Sequence, residues 1–201
     1  LPFGVDKGRF MPSARSEAVK TEILGPRAGT GGPLLVAIGR FAIEKRWDVV
    51  LDAFAALREE RRRKGLPEAT LAIFGDGPER EAMKAQVGGR DDVLFFGFVK
   101  DRGRLASVLA SADLLIHGCP YETFGLSALE AMASGTPILS VDRGGVAERV
   151  EQSGSGVLYP FNDPAGLTAS AISLFRSDLT SLGVGGRRHA ERHHSWDGAF
   201  T

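Results

Sequence analysis

Residues 34–64 read LLVAIGRFAIEKRWDVVLDAFAALREERRRK. Five apolar residues in a row, Leu34–Ile38, suit a strand buried on both faces and are too few for a core helix. From Trp47 the period changes. Val50, Phe54 and Leu57 fall at helical spacing, and the run ends in a solvated ERRRK tail, so 47–64 reads as a helix. A buried strand followed by an amphipathic helix is the unit of a parallel sheet covered on both faces.

The unit repeats outward along the chain. Strands are expected at 69–74, 93–96, 113–117, 137–141 and near Val157-Leu158, with helices at 78–87, 102–111, 124–134, 145–151 and 163–176. Pro78 suits the first position of its helix, where a missing N–H costs nothing. The fold class is therefore α/β, a Rossmann-like parallel sheet with helices on both faces, and right-handed crossovers place every strand C-terminus on one edge. Upstream, residues 1–33 hold four prolines and the run Gly29-Thr30-Gly31-Gly32. They read as a connector with at most a short strand near 20–24. Residues 34–178 are expected to form this Rossmann-like unit, and 179–201 a basic helical segment containing RRHAERHHSW.

Composition sets bounds. Twenty-five Lys+Arg balance 25 Asp+Glu, a net charge of zero, which argues against nucleic acid as a partner and against general binding to anionic membranes. The single cysteine, Cys119, excludes an internal disulfide and a Cys-rich metal site. No apolar run approaches the roughly 18 residues of a membrane span, and the N-terminus has no signal-peptide pattern. A cytoplasmic protein is expected. The chain opens on Leu1, as a piece of a longer protein would. The 26 glycines are nearly twice the average of roughly 7%. Many close a strand: Gly39, Gly75 and Gly77, Gly97, Gly118, and Gly144-Gly145. Either turns after strands simply favour glycine, or these turns line one ligand groove.

The helix expected at 124–134 carries the sharper signal. Amide groups from Thr123 to Leu126, with the helix dipole, suit an anion, and Arg40 and Lys45 follow the first strand as cations for it. A diphosphate fits between them. No phosphate-loop pattern occurs, and no G-x-G-x-x-G opens a helix. Eight residues at about 1.5 Å rise place Glu122 and Glu130 roughly 12 Å apart, too far for a glycosidase pair. That span suits hydroxyls at opposite ends of an elongated ligand. The plainer alternative is a dipole partner at Glu122 and a solvated helix residue at Glu130. His117 reads equally as a sugar contact or a turn residue. Cys119 reads as a small buried side chain. His189 and His193 have metal-ligand spacing on a helix but lack a third ligand nearby.

Residues 122–137, ETFGLSALEAMASGTP, resemble the Glu-x7-Glu block of the family 4 retaining glycosyltransferases, specifically the C-terminal domain of their GT-B fold. Gly4-Val5-Asp6 with Arg9-Phe10 and Pro12, Gly39-Arg40 with Glu44-Lys45, Gly75-Asp76-Gly77-Pro78, residues 93–99, Gly144-Gly145 with Glu148, and Ser195-Trp196-Asp197 follow in that family's order. The resemblance implies that Arg40 and Lys45 bind a donor diphosphate, supported by the Phe124, Gly125 and Leu126 amides. It implies Glu122 on the donor sugar, as the residue closest to catalysis, and Glu130 on the ribose. It places the base against Phe98-Val99, near Asp101, Arg104 and Leu105. The donor would be a UDP- or GDP-sugar, no metal or other cofactor is expected, and transfer would retain configuration.

The acceptor, a glycan or lipid-linked sugar, would be held by an N-terminal domain absent from this chain, leaving an inactive donor-binding half. Many members work at membrane surfaces, so peripheral association at the inner face of the cytoplasmic membrane is a further expectation. Arg61-Arg62-Arg63-Lys64 is a solvated helix end or a contact of that kind. One departure stands out: Arg46 replaces the glycine that usually follows the clamp lysine, a change expected to re-angle the next helix. A sugar-nucleotide epimerase of the same architecture and a free-standing nucleotide-sugar-binding module are the alternatives.

Overall fold

A computed structural model of the chain describes residues 4–194. Six strands form one sheet: β1 (Leu34–Ile38), β2 (Thr70–Phe74), β3 (Val93–Phe96), β4 (Leu114–His117), β5 (Ile138–Val141) and β6 (Gly156–Tyr159). Their order is β3-β2-β1-β4-β5-β6, and every neighbouring pair is parallel. The helices are α1 (Glu17–Leu24), α2 (Trp47–Arg63), α3 (Arg80–Val87), α4 (Arg102–Ser111), α5 (Leu126–Ala133), α6 (Gly144–Ser153), α7 (Pro164–Leu174) and α8 (Leu179–His193). None among the described residues is long and apolar enough to cross a membrane.

Alternation along β1 shows how the sheet divides its core. Leu35 and Ala37 pack with Phe54 and Leu57 of α2, Met83 of α3 and Leu167 of α7. Leu34 and Val36 point the other way, toward Leu105 and Leu109 of α4, Leu129 and Met132 of α5, and Ala190 of α8. Strand side chains alternate faces, so a run buried throughout needs a helical layer on each side. The order reverses between β1 and β4. Chains leave these two strands toward opposite faces, which opens a crevice at their carboxyl ends.

Two expectations are corrected. No strand forms near 20–24. Residues 17–24 are helical, because Ser16 caps the turn by accepting from the Val19 amide (3.3 Å) and Glu17 sits in the first turn. Ile23 and Leu24 are buried by this helix, Lys20 pairs with Asp113 at 2.9 Å, and Val5 and Phe10 join the same core, so the N-terminal residues are part of the packed body. Pro78 stands in the turn before α3, which begins at Arg80: the Arg80 amide closes a tight turn on the Gly77 carbonyl (3.2 Å), and the helical ladder starts with the Met83 amide on the Glu79 carbonyl (2.9 Å). The start and end of the described chain meet: the Val5 amide donates to the His194 carbonyl (2.9 Å), and Arg187 of α8 donates to the carbonyls of Phe10 (2.7 Å) and Ala133 (2.8 Å). Ser195-Trp196-Asp197 lie outside the described residues.

Candidate functional site

The β1–β4 crevice gathers most of the nominated residues. On the β1 side, Gly39 and Arg40 leave the strand, and a short turn over Ile43–Lys45 returns to α2. The Arg40 carbonyl accepts from the Trp47 indole (3.1 Å), which fixes the turn, while the Arg40 side chain is exposed. Gly75 enters from β2 at φ 149°. A Cβ there would lie 1.9 Å from the Gly39 carbonyl oxygen, so the glycine is required by loop packing on loop.

Beside this turn is a pocket of about 460 Å³ lined by Ile38, Gly39, Arg40, Phe74, Gly75, Asp76, Phe98, Val99 and Leu105. Its walls are largely apolar, backbone edges are close, and the exposed Phe98 ring stands at its mouth. A flat heterocycle of base size fits such walls. Asp101 and Arg104 have other engagements. The Asp101 carboxylate caps α4 by accepting from the amides of Gly103 (2.8 Å) and Arg104 (3.2 Å), and the Arg104 guanidinium pairs with Glu22 of α1 at 2.7 Å.

On the β4 side, residues 118–125 form the loop into α5. Glu122 lies four residues ahead of that helix, so the two glutamates do not share an axis and the eight-residue rise does not measure their separation. The Lys45 ammonium donates to Glu122 Oε2 (2.6 Å), the Gly125 amide donates to Oε1 (3.3 Å), and His117 Nε2 stands 3.9 Å from Oε2. His117, Lys45 and the Gly125 amide hold the Glu122 carboxyl far below the usual carboxylate range, against the opposing effect of burial. Burial is the largest single effect on Lys45 and lowers its pKa, but the bond to Glu122 together with the electrostatic influence of Cys119, Glu122 and Glu44 outweighs it, and the net shift is upward.

The Gly125 amide is thus already used by Glu122, and α5 starts at Leu126. Gly125 holds φ 53°, and a Cβ there would meet Val146 Cγ2 at 2.2 Å. Thr123 and Leu126 are exposed at the crevice, as is Phe124.

Glu130 is not solvated. It is 2% exposed in α5 and ion-paired with Arg102 of α4, whose guanidinium also lies 4.9 Å above the Phe10 ring. Burial pushes the Glu130 carboxyl up, and Arg102 offsets part of that rise. Sequence reasoning passed over Arg102, although it stands between the nominated Asp101 and Arg104. It also passed over Arg149, which donates from α6 to the carbonyls of Phe124 (2.8 Å) and Gly145 (3.0 Å) and so clamps the Glu122 loop. Its position four residues after Gly145 was the available signal. His189 and His193 lie with ring centroids 4.9 Å apart on α8, and among the described residues no group of three or more potential ligands is placed to hold a metal.

A family model described as glycosyl transferases group 1 matches residues 22–185. The chain is 40% identical over 137 residues to GDP-mannose-dependent alpha-(1-6)-phosphatidylinositol dimannoside mannosyltransferase of Mycobacterium tuberculosis, covering 68% of this chain and 33% of that protein. It is 34% identical over 207 residues to D-inositol 3-phosphate glycosyltransferase of Jonesia denitrificans, covering 98% and 48%. The chain therefore spans a third to about half of these relatives. Among solved structures, sucrose-phosphate synthase from Thermosynechococcus elongatus superposes with a TM-score of 0.80 at 24% identity, covering 98% of this chain and 48% of that one. The C-terminal domain of a glycosyl transferase group 1 family protein (LpcC) from Francisella tularensis matches at 0.78 and 19%, covering 96% of this chain and 100% of that one.

Proposed function

Since the chain belongs to the group 1 glycosyl transferases, we propose that it is the donor-binding half of a retaining, metal-independent enzyme acting on a nucleotide-diphosphate sugar. The observation that carries this reading is the arrangement at the carboxyl edge of the sheet: an apolar pocket of base size lined in part by Arg40, and a cation–carboxylate pair, Lys45–Glu122, on the loops that leave β1 and β4. The base lies against Val99 and Leu105. The diphosphate is met by Arg40, Lys45 and the first amides of α5, where the helix dipole adds to the two cations. Glu122 accepts hydroxyls of the donor sugar, and those of the ribose fall to Glu130 once Arg102 yields the carboxylate it now pairs with.

A glycosyl transfer develops negative charge on the leaving diphosphate, and fixed donors aimed at it stabilise that charge without reorganisation. Lys45 and the α5 amides supply such donors here. The acceptor, a glycan or lipid-linked sugar, is held by a second domain facing the crevice. The exposed apolar residues Ile43, Phe98, Tyr121, Phe124 and Leu126 all belong to this edge and suit a covering partner. The mannosyltransferase relative is named for GDP-mannose and a neighbouring structure for bound UDP, so GDP and UDP are the first donors to try.

Titration of the chain with GDP, UDP and ADP, followed by NMR or calorimetry, tests the reading. Saturable binding of one diphosphate, with shifts at Val99, Leu105 and Leu126, supports it. No binding of any of the three at millimolar concentration overturns it.

A further inference from the structure

The donor reading gives Lys45 to the diphosphate and Glu122 to the sugar, yet these two side chains are bonded to each other. Nζ donates to Oε2 over 2.6 Å, and the side chains are only 23% and 25% exposed. An ammonium on a flexible stem can change partners, and a diphosphate offers it more negative charge than one carboxylate does. We propose that the Lys45–Glu122 pair is a latch: the donor's diphosphate draws Lys45 away, and only then is Glu122 Oε2 open to a sugar hydroxyl. Sugar recognition is thereby conditional on the diphosphate. This inference rests on the donor reading above and adds an order of events to it.

The surroundings let one partner move and the other stay. Glu122 keeps three anchors when Lys45 leaves. Its Oε1 accepts from the Gly125 amide (3.3 Å), its own carbonyl accepts from the Gly145 amide (2.9 Å), and Arg149 holds the neighbouring Phe124 carbonyl (2.8 Å). His117, buried behind the carboxylate with Nε2 at 3.9 Å, remains beside Oε2. Among the described residues the Lys45 ammonium is bonded to Glu122 and has no comparable set. Its stem passes over Gly39, where even a built Cβ would stand no closer than 3.9 Å to Lys45 Cε. The ammonium can therefore swing toward Arg40 with no side chain at position 39 in its way. Both shifts have the sign such a pair gives, although His117 acts on Glu122 more strongly than Lys45 does and burial opposes the rise at Lys45.

The test compares this chain with Glu122→Gln by calorimetry, using GDP, UDP and inorganic pyrophosphate, then GDP-mannose and UDP-glucose. The latch predicts that E122Q binds the preferred diphosphate about three- to tenfold more tightly, because Lys45 no longer has to leave a charged partner. It also predicts that E122Q loses whatever added affinity the sugar gives. If E122Q binds the diphosphate equally or more weakly while the parent chain binds it, the latch is overturned and the donor reading stands. If neither protein binds any nucleotide, both fall. A second measurement needs no variant at the carboxylate. In the parent chain the Glu122 side-chain carboxyl NMR signal should move on adding the diphosphate, in the direction that Lys45→Gln produces without ligand. A Glu122 signal that ignores the diphosphate overturns the latch.

Discussion

Arg46 and Asn162, the two described residues other than glycine that hold positive φ (52° and 58°), are hydrogen-bonded to each other across the carboxyl edge of the sheet. Arg46 also pairs with Asp48 at 3.2 Å and lies 5.9 Å over the Phe161 ring. The backbone at position 46 thus keeps a left-handed conformation suited to the glycine that the family block usually carries there. The arginine endures that conformation because its side chain ties the β1–α2 turn, which carries Lys45, to the loop after β6.

This gives an ordering that contacts alone would not. Left-handed backbone costs a residue with a Cβ about 1–2 kcal/mol, and asparagine less than most. Arg46→Ala keeps that cost and loses the contacts, so it should destabilise by about 1–2 kcal/mol. Arg46→Gly loses the same contacts but relieves the backbone, and should be about 1 kcal/mol more stable than the alanine variant. Urea unfolding of the three proteins measures this. An alanine variant as stable as the glycine one would show that φ at position 46 carries no strain.

The fold was legible because buried strands such as Leu34–Ile38 and Thr70–Phe74 announce themselves by length and by unbroken apolar character. The helix at Glu17–Leu24 was not, since TEIL over 21–24 looks like a strand and only the Ser16 cap says otherwise. At the site, types and spacing brought Arg40, Lys45 and Glu122 to one edge. They could not show that Lys45 and Glu122 pair, or that Asp101 and Arg104 turn to a cap and to Glu22. Partner choice depends on distances across elements far apart in sequence. The strand-end glycines illustrate the same limit: Gly75 is needed because the Gly39 carbonyl is there, a fact of packing that no local pattern encodes.

Gly125 joins two demands that can be separated. Gly125→Ala must place a Cβ where Val146 Cγ2 stands, on a backbone at φ 53°, so a loss of about 2–3 kcal/mol is expected. Combining it with Val146→Ala removes the clash but leaves the φ cost and adds a small cavity. The double variant should therefore lose less than the sum of the two single changes, with a coupling of about 1 kcal/mol in thermal or urea unfolding. Strict additivity would show that the loop relaxes away from α6.

The Arg102–Glu130 pair makes the opposite kind of case. Arg102→Met leaves a carboxyl that is 2% exposed without its cation, which typically costs about 3 kcal/mol or more. Glu130→Gln removes the buried charge and should cost less. Adding E130Q to R102M should recover about half or more of the loss, because the penalty belongs to the orphaned carboxylate. Unfolding free energies for the four proteins complete the cycle. A double variant no better than R102M would mean that Arg102 stabilises chiefly through Phe10.

His189 sets an acid sensitivity at the end of the described chain. It is buried on α8 with Nε2 unpartnered among the described residues, facing the rings of His193 and His194, with the Arg149 charge also acting on it. Burial, then His194, His193 and Arg149, push its pKa down to about 4. A base whose pKa is depressed on folding is neutral in the fold, whereas the unfolded chain binds a proton below about pH 6.5. The unfolded state therefore holds more protons between about pH 6.5 and 4, and stability is lost as pH drops through that window. His189→Phe keeps the ring volume and removes the titration. Measured against the parent, it should be near equal at pH 8 and gain on it as pH falls, by up to about 3 kcal/mol near pH 4. A gap that stays constant from pH 8 to pH 4 would show that His189 takes its proton in the folded chain as readily as in the unfolded one.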